Sequence, residues 1–184
     1  SSRTATYAAA VFDVRSPRWR GVPFFVSAAK GAATRCTEIR VHFKAPDNDL
    51  FRPLLARGGH DGTPLRDNEL VIRVQPDAQI LLRIVGKTPG PGFKLDTPAL
   101  DLSYREAYAG ARIGDAYENL LLDVIRGDRS LFIRDDELEA AWDIFTPLLH
   151  AVDAGNDEPH PYPFGSGGPE ARHAFASQFG IEDA

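Results

Sequence analysis

The sequence predicts an α+β fold, a large and mainly antiparallel sheet with helices packed on one face. Up to Tyr104 it holds short runs of β-branched and aromatic residues broken by Pro, Gly and Asp, and apolar residues recur at helical spacing only after Asp115. Strands first and helices afterwards is the order of an α+β domain, not of alternating βαβ units. No G-x-G-x-x-G lies between a strand and a helix, and neither a P-loop nor a G-x-S-x-G elbow occurs, so no Rossmann domain is expected in these residues.

Thr4 to Val14 carries Tyr, Val and Phe without helix caps and runs into Ser16-Pro17, which predicts a first strand. Gly21 and Pro23 form a turn before the apolar run Phe24 to Val26, a second strand. Thr37 to Lys44 alternates strictly, with Ile39, Val41 and Phe43 on one face and Glu38, Arg40, His42 and Lys44 on the other. Ala45 to Asn68 is rich in Pro, Gly and Asp and reads as a long surface loop. Glu69 to Gln75 and Gln79 to Val85 form a hairpin across Pro76-Asp77-Ala78, leaving Arg73 and Arg83 on polar faces. Lys87 to Pro98 reads as another loop and Leu100 to Tyr104 as a short strand.

Asp115 and Glu118 make a capping box for a helix over Ala116–Arg126, which Gly127 ends. A second helix starts near Asp135, where Asp136 and Glu137 suit the positive end of its dipole, and Pro147 should kink it. Gly165 to Gly168 reads as a flexible hinge, and a last short helix spans Glu170 to Gln178.

With 184 residues, 43% hydrophobic and 26% charged, residues 1–184 are expected to form a single domain. A net charge of −5 argues against nucleic acid or an anionic membrane as the main partner, so any anion must be caught by a local basic pocket. Cys36 is the only cysteine, which excludes an internal disulfide and points to a reducing, cytoplasmic setting. No apolar run approaches membrane-spanning length. The chain has no methionine, from which Ser1 is expected to be a cut point inside a longer polypeptide or the start of an ordered remnant.

The candidate site lies between the second and third strands. Lys30 and Arg35 sit in a small-residue turn that buries little and lets a ligand approach the backbone. Two readings fit this spacing: a pocket for a phosphate or carboxylate, and two solvated charges on a loop. The five histidines have no metal-like spacing, so no metal is expected. Asp135, Asp136 and Glu137 are read as helix-start residues and not as paired catalytic acids, and Cys36 as a small core residue.

The words RWRGVPF, TEIRVHFK, NELVIRVQPD, LDLSY, DAYENLLLDVIRGDRSLFIRDDELEAAW and GSGGP follow one another in the order, and near the spacing, of one family. From about Thr4 to about Gly180 the chain resembles the C-terminal domain of glucose-6-phosphate dehydrogenase. The resemblance implies a cytoplasmic, dimeric NADP-dependent oxidoreductase of the pentose phosphate pathway, taking glucose 6-phosphate to 6-phosphogluconolactone. It implies that Lys30 and Arg35 lie near the sugar phosphate, and that the sheet serves as the surface between subunits. The coenzyme domain and the histidine motif that removes the sugar hydroxyl proton precede this region in the family. The chain alone is therefore expected to be inactive, with no catalytic residue of its own.

Some members of the family hold a second, structural NADP on basic residues of this sheet, and Arg40, Arg73 and Arg83, with Asp101 nearby, match that pattern. Ser27, Ala29 and Gly167 depart from it, and no structural nucleotide is expected here. The same departures leave a second hypothesis: a free-standing, non-catalytic homologue that binds a sugar phosphate or assembles with a full-length dehydrogenase.

Overall fold

The computed structural model describes residues 4–44, 67–92, 94–112, 114, 116–155 and 158–181. They belong to two compact units, residues 1–34 with 114–184, and residues 35–113.

The first unit is built on a hairpin of β1 (Tyr7–Asp13) and β2 (Pro23–Ala29), which pair antiparallel with Phe12 opposite Phe24 and Val11 opposite Phe25. Opposed residues share a face and neighbours alternate, so Phe12 and Phe25 point to opposite sides. Phe12 meets Phe145 of the long helix Asp135–Asp153 edge-on, with ring centroids 5.7 Å apart. Phe25 meets Phe175 of the short helix Ala171–Ser177 at 6.3 Å. The helices of this unit thus flank the hairpin instead of sharing one face. The alanines at positions 8, 9, 10, 28 and 29 of the hairpin leave room for elements on either side.

The helix Ala116–Arg126 has the predicted bounds, and it ends as Gly127 implied. Gly127 adopts φ +73°, its N–H donates to the Val124 carbonyl, and the Asp128 N–H reaches back to Asp123. Asp115, the other half of the expected capping box, lies outside the described residues. The helix Asp135–Asp153 continues through Pro147, and the Glu137 N–H at its start is met by Asp136.

The second unit is a four-stranded antiparallel sheet of β3 (Thr37–His42), β4 (Glu69–Gln75), β5 (Gln79–Arg83) and β8 (Ala99–Ser103), in that order. Two-residue strands β6 (Gly86–Lys87) and β7 (Leu95–Asp96) pair where the sequence read as a loop. A single turn of helix, α1 (Tyr104–Ala107), follows β8; in chain order the longer helices are then α2 (Ala116–Arg126), α3 (Asp135–Asp153) and α4 (Ala171–Ser177). Most of the predicted loop over 45–68 lies outside the described residues.

The sheet register sorts the side chains as the alternation predicts. Ile39 opposes Ile72, Ile72 opposes Ile80, and Ile80 opposes Leu102; Val41, Leu70, Leu82 and Leu100 form the next row. This aliphatic face is largely open, with Ile39 at 55% and Leu100 at 63% exposure. The opposite face carries Glu38, Arg40, His42, Glu69, Arg73, Arg83 and Asp101 around a buried Val71. The α+β class holds, but the described strands are divided among three antiparallel sheets and do not join in one large sheet.

Candidate functional site

The turn that follows β2 is fixed at every peptide group the candidate lysine owns. The Lys30 N–H donates to the Thr6 carbonyl at 2.8 Å, and the Lys30 carbonyl accepts from the Tyr162 hydroxyl at 2.6 Å. One residue on, the Gly31 carbonyl accepts from the Gly165 N–H at 2.7 Å, and the Ala33 N–H donates to the Ser166 carbonyl at 2.9 Å. Ala32 and Ser166 form a parallel bridge. The segment read from sequence as a flexible hinge is therefore stitched to this turn, because its backbone groups find partners there.

Gly31 is the residue the turn requires. It adopts φ +63°, which favours glycine, and a Cβ there would come within 2.8 Å of the Phe164 ring. Above this fixed backbone the Lys30 side chain is exposed, and its ammonium has no ion pair or hydrogen bond among the described residues. It is a cation available to an incoming anion. Arg35 is exposed and likewise without an ion pair among the described residues. It begins the second unit, whereas Lys30 belongs to the first.

The arginines of the sheet are engaged differently. Glu69, 5% exposed, pairs with Arg83 through one carboxylate oxygen and lies 3.3 Å from Arg40 and 3.8 Å from His42 through the other. Glu38 pairs with Arg40 at 2.6 Å and lies 3.6 Å from Arg73. Burial works against the charge of Arg40, but the carboxylates of Glu38 and Glu69 outweigh it and hold the guanidinium above its ordinary pKa. Asp101 accepts from Gln79 at 2.8 Å. A second nucleotide on this face would have to compete with two glutamates for all three arginines. These residues do not fit a structural NADP. At Gly167 a Cβ would come within 2.7 Å of the Arg172 guanidinium, the movable end of a long side chain.

Cys36 is exposed, not a core residue. It follows Arg35 directly and stands just ahead of β3. Among the described residues no group of His, Cys, Asp and Glu is placed to hold a metal, and His60 lies outside them. Asp136 is engaged by Arg134 at 2.6 Å and by the Glu137 N–H, in keeping with a helix-start role. No helix among the described residues is long and apolar enough to cross a membrane.

The described residues form an α+β fold with a braced turn that carries an exposed lysine, unpaired among the described residues; comparison with known proteins says to which family this fold belongs. The family model described as glucose-6-phosphate dehydrogenase, C-terminal domain, matches residues 1–182, and the chain belongs to that family. It is 45% identical over 180 residues to glucose-6-phosphate 1-dehydrogenase of Dictyostelium discoideum, covering 98% of this chain and 34% of that protein. It is 48% identical to the chloroplastic glucose-6-phosphate 1-dehydrogenase 1 of Arabidopsis thaliana, covering 98% of this chain and 30% of that protein. A solved glucose-6-phosphate dehydrogenase in complex with its substrate glucose-6-phosphate superposes with a TM-score of 0.87 at 36% identity, over 100% of this chain and 36% of that one. The chain thus spans about a third of the length of the curated relatives it matches.

Proposed function

We propose that this chain is the C-terminal part of a dehydrogenase that transfers hydride from C1 of glucose 6-phosphate to NADP, giving 6-phosphogluconolactone. Lys30 and Arg35 are each assigned to binding the sugar phosphate of its substrate. The single observation that carries this reading is the Lys30 ammonium, unpaired among the described residues and mounted on a turn whose backbone is fully engaged. Lysine supplies a mobile point charge and arginine a planar fork, and a phosphate dianion suits both.

NADP and the catalytic base are assigned to the preceding part of such an enzyme, so the 184 residues by themselves are expected to be inactive. The open aliphatic face over Ile39, Val41, Leu100 and Leu102 is assigned to contact between two copies in a homo-oligomer. A cytoplasmic location goes with the single cysteine, and neither nucleic acid nor membrane is a partner in this reading.

The test is to add glucose 6-phosphate and NADP to the full-length protein and follow nicotinamide reduction. Turnover dependent on both is the expected result. No turnover would leave the non-catalytic, sugar-phosphate-binding homologue as the better reading.

A further inference from the structure

We propose that Tyr162 is a positioning residue for the sugar-phosphate site, closing from behind the turn that carries Lys30. The inference rests on the reading above, in which Lys30 meets the phosphate, and adds to it how that lysine is held. Tyr162 lies 132 residues further along the chain, yet its hydroxyl sits where the start of the first strand and the end of the second converge. It is 2.6 Å from the Lys30 carbonyl, 2.9 Å from the Thr6 carbonyl and 3.1 Å from the Thr6 Oγ1. A phenol has one proton to donate and can also accept. Its proton goes first to the Lys30 carbonyl, the nearest acceptor, with the Thr6 carbonyl and the Thr6 Oγ1 as further acceptors within reach of the same hydroxyl.

The ring is held as firmly as the hydroxyl. Its centroid is 6.0 Å from that of Tyr7 in an edge-on contact, and Pro161 and Pro163 on either side restrict the backbone. Beyond Tyr162 the same segment secures Gly31 and Ala33 through Gly165 and Ser166, and the Phe164 ring fills the space beside Gly31. The Lys30 N–H bond to Thr6 resembles the hairpin ladder, but the carbonyl bond is supplied from outside it. Tyr162 therefore controls the peptide plane from which the lysine side chain departs. A phenylalanine would keep the ring contacts and remove only the donor, leaving the Lys30 carbonyl without its partner.

The phosphate is remote from the reacting C1, so loosening Lys30 weakens substrate binding more than the chemical step. In the full-length protein, Tyr162→Phe is expected to raise KM for glucose 6-phosphate roughly three- to tenfold, leaving kcat and KM for NADP within about twofold. In a Lys30→Ala background the same change is expected to add nothing, since there is no ammonium left to position. If Tyr162→Phe does not fold, Gly31→Ala disturbs the brace from the other side, through its φ of +63° and the Phe164 ring, and should give the same KM signature.

An unchanged KM in Tyr162→Phe beside a raised KM in Lys30→Ala would overturn the positioning role and leave the phosphate-binding role standing. An equal rise in both backgrounds would also overturn it, because Tyr162 would then act through something other than Lys30. No effect of Lys30→Ala itself would sink both.

Discussion

Replacing Glu69 with glutamine should loosen the four-stranded sheet by about 2 kcal/mol, and the size of that effect can be worked from the charges around it. The carboxylate is 5% exposed and faces Arg83, Arg40 and His42 from the neighbouring strands. Two unit charges at the 3.3 Å separation to Arg40 attract by about 5 kcal/mol at an effective dielectric constant of about 20. Both guanidiniums keep 39% exposure, so solvent screens much of that attraction, and burying the carboxylate offsets more. Glutamine retains one acceptor oxygen but turns an amide toward an arginine, which leaves about 2 kcal/mol as the net loss. The assay is hydrogen exchange on peptides spanning β4 and β5 in the full-length protein, because it reads local opening without requiring two-state unfolding of the whole molecule. A loss of that size speeds exchange by about 30-fold. Exchange unchanged within about threefold would refute the idea that Glu69 neutralises this face.

Leu100→Glu, in the open aliphatic face, should weaken self-association by at least about 30-fold if that face joins two copies, as read by sedimentation against concentration. Phe145→Ala removes the edge-on contact with Phe12, and since Phe145 is already 41% exposed the loss should be about 1–2 kcal/mol, seen as faster exchange across β1 and β2. Asp128 accepts the Ser130 N–H in the turn after α2, which holds its carboxyl below the usual range. A depressed folded pKa contributes stability that is complete above the ordinary aspartate value and fades as pH falls through the lowered one. Asp128→Asn should therefore flatten the acid limb of the stability profile without changing its slope near neutrality, measured as the urea midpoint against pH.

What could be read from the sequence was local. Strict alternation in TEIRVHFK and ELVIRVQ placed Ile39 and Ile72 on one face and Arg40 and Arg73 on the other, and the register confirms it. Gly127 announced a helix end, and the order of short words along the chain announced the family. What could not be read was non-local. Tyr162 meets Lys30 across 132 residues, and a tyrosine between two prolines carries no periodic signal that names its partner. The glycines at 165–168 looked like a hinge because their backbone partners, Gly31 and Ala33, lie far away in sequence. Alternation placed Arg40 and Glu38 on one polar face, but not the pairing of the sheet arginines with Glu69, since Glu69 meets Arg40 and Arg83 only after three strands have paired.

The claim at the centre of this account is that Lys30 holds the phosphate of the substrate. The most direct measurement is the steady-state kinetics of Lys30→Ala in the full-length protein, varying glucose 6-phosphate and NADP separately. Loss of one charge-assisted contact to a phosphate, about 1.5–3 kcal/mol, should lower kcat/KM for glucose 6-phosphate by roughly 10- to 150-fold and leave KM for NADP within about twofold. An unchanged dependence on glucose 6-phosphate would show that Lys30 is only a solvated charge on the turn.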